Sequence, residues 1–245
     1  MTKTDPALGK RPYHRFIDQT SRNLTDLADR FGSDKGSTKH KYTELYHLLF
    51  EPRRQHDLTL LEMGLLIGGP EHGVDEDRAT NDLPSVRMWL EYFDRAHIVG
   101  LDVSDFSWFT DVRFSFLRCD MDRRDDIRQA TSGFDAFDII IDDASHASAH
   151  QQNAFLELFP KLASGGIYII EDLRWQPKVY EQKSPGITKT AELFRTFIRN
   201  RAFTHSDPAV AAELNALRPQ ISGCFLHQAQ FDKSRRDQVA VIHKL

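Results

Sequence analysis

The chain has 245 residues, 40% of them hydrophobic and 28% charged, with a formal net charge of -4. That length suits one large α/β domain with a substantial core, and the weak negative balance gives no general attraction to nucleic acid or to an anionic membrane surface. No apolar run approaches the roughly 20 residues that span a bilayer, and the opening MTKTDPALGKRPYHRF lacks the apolar core of a signal peptide, so a cytoplasmic protein with no stable membrane insertion is expected.

Residues 1–21 are polar, and Ser21 or Asn23 is placed to cap a helix over about 22–31. A polar segment, GSDKGSTKH (32–40), precedes YTELYHLLF, whose apolar spacing predicts a helix through Phe50. From residue 58 the pattern changes. LTLLEMG (58–64), HIVGLDV (97–103), VRFSFL (112–117), FDIIIDD (137–143) and GGIYIIEDL (165–173) read as five compact strands. Helix-like segments lie between them: PSVRMWLEYFDR (84–95), RRDDIRQAT (123–131) and SAHQQNAFLELFPKLAS (148–164). Strand alternating with helix implies a parallel sheet covered by helices on both faces, and the nearly all-apolar IIID and IYII runs suit that burial. Two further helices are expected over 188–202 and 207–217. The chain then ends in ISGCFLHQ and QVAVIHKL, joined through FDKSRRD, which predict an antiparallel hairpin at a sheet edge. The expectation is a seven-stranded, mostly parallel, doubly wound sheet over 58–245. A short helical extension over 1–57 precedes it, and a polar insertion occupies 70–84. Cys119 and Cys224 stand far apart in no metal-ligand spacing and are expected to be reduced thiols.

Open parallel sheets bind ligands beyond the carboxyl ends of their strands, so the strand exits carry the chemistry. The first exit, E-M-G-L-L-I-G-G, offers Glu62 with Gly64, Gly68 and Gly69 for a tight backbone turn. Asp102 closes the second strand about 40 residues later, where a carboxylate can accept both ribose hydroxyls of an adenosine ligand. Leu66 occupies the middle glycine position of a pyrophosphate-binding G-x-G-x-x-G turn. This favours S-adenosylmethionine, which has no phosphate, over a dinucleotide.

Asp142, Asp143 and His146 leave the fourth strand, and Glu171 and Asp172 leave the fifth, each pair of acids 29 residues from the other. Neighbouring parallel strands lie about 5 Å apart, so these carboxylates converge and repel unless a cation sits between them. Hard oxygen ligands suit Mg²⁺, Ca²⁺ or Mn²⁺. Asp143 and Asp172 are the preferred ligands, Glu171 is a third ligand or a supporting group, and Asp142 lies behind the site. His146, three residues past Asp143, is placed to take a proton from a hydroxyl whose pKa the cation lowers. A plain acidic N-cap followed by a surface histidine would produce the same D-D-x-x-H string, and the second acidic exit argues against it. His150 is more ambiguous, since a histidine on a helix surface usually has no special role. Trp108 and Trp175 are candidates for a substrate wall or for core packing.

Taken together, F-G-S-D-K-G-S-x-x-H-x-Y-T-x-x-Y, E-M-G, S-V-R-M-W-x-x-Y-F, G-L-D, I-D-D-A-S-H and I-I-E-D-L resemble the metal-dependent macrolide-sugar O-methyltransferases of the mycinamicin and tylosin type, over roughly residues 31–175. The resemblance implies a class I methyltransferase fold, methyl transfer from S-adenosylmethionine to a sugar hydroxyl, dependence on Mg²⁺, and a homo-oligomer. It also implies that Asp143, Glu171 and Asp172 face the metal, that His146 is the base assisted by Asp143, and that Lys35, Tyr42, Glu62, Gly64, Ser85, Asp102, Asp120 and Asp143 face the cofactor. Asp120 falls near the adenine, and the segment Asp34–Tyr46 with Ser85 and Arg87 falls near the methionine end. The implied acceptor is a small-molecule glycoside or an oligosaccharide, and deoxysugars on other carriers, such as fucose on rhizobial nodulation factors or rhamnose on surface glycans, belong to the same class. The chain does not begin with the long N-terminal domain of some macrolide enzymes. Three competing readings are an O-methyltransferase for catechol-like hydroxyls, an NAD-linked oxidoreductase, and a noncatalytic protein that binds the cofactor.

Overall fold

A computed structural model describes residues 23–66, 68, 80–229 and 237–245. Ser21, Gly69, most of the expected insertion at 70–84 and the turn at 231–236 lie outside these described residues. Two compact units form, one from Met1–His56 with Pro84–Arg95, the other from Asp57–Leu83 with Ala96–Leu245.

The first unit is helical: α1 (Leu24–Phe31), α2 (Tyr42–Phe50) and α3 (Pro84–Tyr92). Asn23 caps α1, its side-chain oxygen accepting from the Thr25 N–H at 2.9 Å and more weakly from the Asp26 N–H at 3.4 Å. Gly32 ends the helix at φ 77, a left-handed stop that costs glycine nothing. An aromatic cluster holds the unit together: Tyr46, Phe50, Trp89, Tyr92 and Phe93 are all fully buried, with the Trp89 ring 6.0 Å from Phe50 and 6.3 Å from Tyr46. α3 lies in the connection between the first two strands, as the sequence pattern predicts, and clusters with α1 and α2 because its buried aromatic stripe meets theirs.

The second unit is a seven-stranded sheet with helices around it. Its strands are β1 (Thr59–Met63), β2 (His97–Asp102), β3 (Phe114–Arg118), β4 (Phe137–Asp142), β5 (Leu162–Ile170), β6 (Ile221–Gln228) and β7 (Gln238–Lys244), in the order β3-β2-β1-β4-β5-β7-β6. The first five are mutually parallel, and β7 runs antiparallel to both β5 and β6, as the expected terminal hairpin requires. The helices are α4 (Arg124–Ala130), α5 (Ser148–Leu158), α6 (Lys178–Glu181), α7 (Thr190–Asn200) and α8 (Pro208–Leu217). The helix expected over 148–164 stops at Leu158, since Pro160 cannot continue it, and β5 begins already at Leu162. The short α6 has no counterpart in the sequence pattern.

Register places the exits level with one another: Met63 pairs with Leu101 and with Asp142, and Asp142 pairs with Ile170. Side chains alternate between the faces, so Asp142 shares the face of Met63, Tyr168 and Ile170. Those three lie in a core with Phe155, Phe159, Phe194 and Phe203. Glu62 and Asp102 point to the opposite face.

Candidate active site at the strand ends

Strand order reverses at β1, between β2 on one side and β4 on the other, and the carboxyl ends there form the crevice in which open parallel sheets hold ligands. Beyond the sheet ladder, the Gly64 N–H donates to the Leu101 carbonyl, the Asp143 N–H to Met63 and the Glu171 N–H to Asp142, each at 2.9 Å. Gly64 sits at φ 81, and a Cβ there would stand 2.2 Å from the Asp143 carbonyl oxygen and 2.6 Å from the Ala144 Cα. The glycine is therefore required for the β4 exit to pass close to β1, a demand that the ligand-approach reading of the sequence does not capture. Asp102, buried at the end of β2, accepts from the Leu65 N–H through Oδ2 at 2.8 Å and from the Ser104 N–H through Oδ1 at 2.9 Å. Its carboxylate thus pins the turn after β1. Glu62 is fully buried within β1, and Asp120 organises the turn after β3 by accepting from the Asp122 N–H at 3.0 Å.

Asp143, His146 and Asp172 come together: one ligand atom from each lies within 4.8 Å of the others. His146 Nε2 is 3.8 Å from Asp172 Oδ2, and both side chains are largely buried at 13% and 14% exposure. His146 and Asp172 both adopt left-handed backbone conformations, φ 59 and φ 50. Such strain in non-glycine residues persists only where surrounding contacts impose it, and it gathers at functional sites. The Trp175 ring meets the His146 ring edge-on at 5.2 Å, and the Trp175 backbone N–H closes a turn onto the Asp172 carbonyl at 2.9 Å. His146 Nδ1 is buried and has no hydrogen-bond partner among the described residues. The two carboxylates, in one largely buried spot with the imidazole beside them, suit a small hard divalent cation such as Mg²⁺ or Mn²⁺.

Glu171 does not fall within this group; it is buried, its carbonyl accepting from the Gln151 side-chain amide at 3.1 Å. Asp142 is also apart from it, behind the site as strand alternation requires. Burial pushes its carboxyl up to about 7, against a weak hydrogen bond from the Ala144 N–H and with the charge of Asp143 adding to the rise. His150, ambiguous in the sequence, is buried, with its Nδ1 2.7 Å from Ser145 Oγ. Only the proximity of H-x-x-x-H to the strand exit hinted at this. Trp108 is 42% exposed and makes ring contacts with Phe106 and Phe109.

The remaining cofactor candidates belong to the helical unit. Lys35, Tyr42 and Ser85 are buried there, with Tyr42 stacked on His40 at 5.3 Å. Asp34 is held below the usual carboxylate range: burial acts to raise it, and Lys35, His40 and Lys39 together outweigh that effect. Arg87 lies over the Phe31 ring at 4.7 Å.

No protein-family profile matches the chain. The MycE methyltransferase of the mycinamycin biosynthetic pathway, solved in complex with Mg, SAH and mycinamycin VI, superposes over 100% of this chain and 63% of its own, at 25% identity with a TM-score of 0.68. The fold is that of a class I methyltransferase. MycE in complex with Mg and SAH, in crystal form 1, aligns over 91% of this chain and 55% of its own at 27% identity with a TM-score of 0.67. Among curated proteins, the 8-demethyl-8-alpha-L-rhamnosyl tetracenomycin-C 2'-O-methyltransferase of Streptomyces olivaceus is 38% identical over 151 residues, which is 62% of this chain and 38% of that protein. The mycinamicin VI 2''-O-methyltransferase of Micromonospora griseorubida is 33% identical over 154 residues, again 62% of this chain, and 36% of the relative. The chain thus spans well under half the length of the curated relatives it matches. Those relatives are sugar O-methyltransferases of glycosylated natural products.

Proposed function

We propose that this chain transfers a methyl group from S-adenosylmethionine to a sugar hydroxyl, that of a deoxysugar on a small-molecule glycoside or an oligosaccharide, and requires Mg²⁺ to do so. The observation that carries the reading is the convergence of Asp143, His146 and Asp172 within 4.8 Å at the exits of neighbouring strands. Asp143 and Asp172 would hold the cation, with Glu171 behind them and His146 beside them. The Gly64 turn with buried Glu62 and Asp102, and with the half-buried Asp120, would face the adenosine.

When bound, S-adenosylmethionine supplies a methyl group on a sulfonium leaving group and the cation acidifies the acceptor hydroxyl. The chain's own residues do the rest. His146 takes the hydroxyl proton at Nε2, which lies 3.8 Å from Asp172 Oδ2. Trp175 packs against the His146 ring. Positioning dominates, because the donor already carries its leaving group. We further place the protein in the cytoplasm as a homo-oligomer. Cys119 and Cys224 are free, and burial pushes both thiols up to about 12.

The test begins with calorimetric titration of S-adenosylmethionine with Mg²⁺ and again after chelation, followed by methyl transfer to rhamnosyl, fucosyl and phenolic acceptors. Cofactor binding in both conditions, and Mg²⁺-dependent methylation of a glycoside, are expected. His146→Ala should lose at least about 100-fold in kcat while cofactor Kd changes little. Full activity after complete chelation would refute the metal role, and transfer confined to phenols would replace the sugar acceptor with an aromatic one.

A further inference from the structure

The loop Asp143–Ala147 carries both Asp143 and His146, and its central strain sits at His146, φ 59. Something must hold that conformation against relaxation. Ser145 Oγ lies 2.7 Å from His150 Nδ1 and accepts from the Ala147 N–H at 3.3 Å, a turn that spans His146. The other ring nitrogen, His150 Nε2, is 3.4 Å from Asp122 Oδ1, on the segment that follows β3. The imidazole is further fixed by the Tyr180 ring at 4.8 Å, and Lys183 approaches the second oxygen of Asp122 at 3.7 Å. Glu181, next to Tyr180, accepts from the Ser148 N–H at 2.7 Å, so the segment after Asp172 also grips the start of α5.

The carboxylate facing His150 Nε2 favours one assignment of donor and acceptor roles. A carboxylate only accepts, so His150 presents its proton at Nε2 to Asp122, which leaves Nδ1 bare as an acceptor for the Ser145 hydroxyl. Ser145 then keeps a lone pair for the Ala147 N–H. Burial lowers the His150 pKa, ahead of the opposing pull of Asp122 and Asp120, which keeps the ring neutral as this assignment demands. The order of contacts is inverted relative to a hydrolytic Ser-His-Asp triad, where the serine meets Nε2 and the carboxylate Nδ1. This arrangement suits holding a loop and not nucleophilic attack.

We infer that Ser145, His150 and Asp122 form a polar brace whose purpose is to hold His146 in its strained, reactive orientation, a positioning role that rests on the function proposed above. None of the three touches the reacting atoms. The brace links the exit of β4 to the segment after β3, so the base is set relative to the side of the site where Asp120 lies.

Two readouts on the full chain test this. The first is nitrogen-resolved NMR of the histidine rings, with His150 assigned by its disappearance in His150→Asn. The expected result is a ring protonated at Nε2 and bare at Nδ1, with amide exchange at residues 144–147 accelerated about tenfold or more in Ser145→Ala and in His150→Gln. His150→Asn should exchange like the parent, since its amide oxygen reaches the position of Nδ1 whereas that of glutamine reaches Nε2. The opposite tautomer, or unchanged exchange in Ser145→Ala, would overturn the brace. The second readout is kinetic: Ser145→Ala and His150→Gln should lose about 10- to 100-fold in kcat with KM and cofactor Kd within about threefold, and His150→Asn should keep most of the activity. Equal losses in His150→Asn and His150→Gln would also overturn it. If the parent protein methylates no glycoside, the proposed function fails, and the tautomer and exchange measurements still decide the brace.

Discussion

Replacing Gly64 by alanine tests the closeness of the two strand exits on which the site depends. The residue stands at φ 81, where an L side chain costs about 1–2 kcal/mol. The new Cβ would meet the Asp143 carbonyl oxygen at 2.2 Å, and because the obstacle is backbone, relief needs a shift of about 1 Å in the β4 exit. Overpacking of this kind costs about 1–3 kcal/mol, for a total near 3 kcal/mol. In a chain of this size each kcal/mol lowers Tm by about 2–4 °C, so a fall of about 6–12 °C is expected. The same shift moves Asp143 away from Asp172, and the affinity for Mn²⁺ should fall with the stability. Gly133→Ala is the control: its Cβ meets nothing within 4 Å, and Tm should stay within about 2 °C. Thermal unfolding followed by circular dichroism, with calorimetric Mn²⁺ titration, decides the matter. A Gly64→Ala protein that matched the Gly133→Ala control in both would refute the close approach.

Asp142, with its carboxyl pushed up to about 7 by burial, binds its proton more tightly folded than unfolded. The stability it contributes is complete below about pH 4 and is lost as pH rises towards 7, by on the order of 4 kcal/mol at most. In chelator, Asp142→Asn should flatten that decline in urea titrations, and an unchanged pH profile would contradict the assignment. Asp143 and Asp172, with carboxylate oxygens within 4.8 Å, repel by about 3 kcal/mol at an effective dielectric constant near 20. Asp172→Asn should therefore leave the chelated protein as stable as the parent or more so while abolishing the rise in Tm on adding Mg²⁺; a rise equal to that of the parent would exclude Asp172 as a ligand. Asn23→Ala removes two hydrogen bonds to the first turn of α1 and should cost about 1 kcal/mol in chemical denaturation, with no loss meaning that the cap carries no net stability.

Local signals made much of the molecule legible. IIID and IYII announced strands buried on both faces, and the acids that end them marked the two strand exits at which the candidate site lies. Alternation along β4 separated Asp143, which joins the group, from Asp142, which does not. Asn23 was a visible cap, and Pro160 was a visible stop that the apolar run beyond it obscured. Other features left no local mark. The partner of α3 depends on which aromatic faces meet across separate segments, and periodicity says only that a face exists. His150 is ambiguous by spacing, and is buried because Tyr180 and Asp122, far away in sequence, close over it.

By itself the sequence determined the order of strands and helices, the hairpin at the edge and the residue types at each strand exit, because these follow from short-range pattern and from the two periodicities of the backbone. Only the tertiary structure decided which of those carboxylates converge, that His146 and not Glu171 completes the group, that Gly64 is needed for the passage of Asp143, and that Ser145 and His150 are joined. Each of these is a matter of distance between segments, set by register and by side-chain direction at the end of a strand, and neither is encoded in the spacing of residues along one segment.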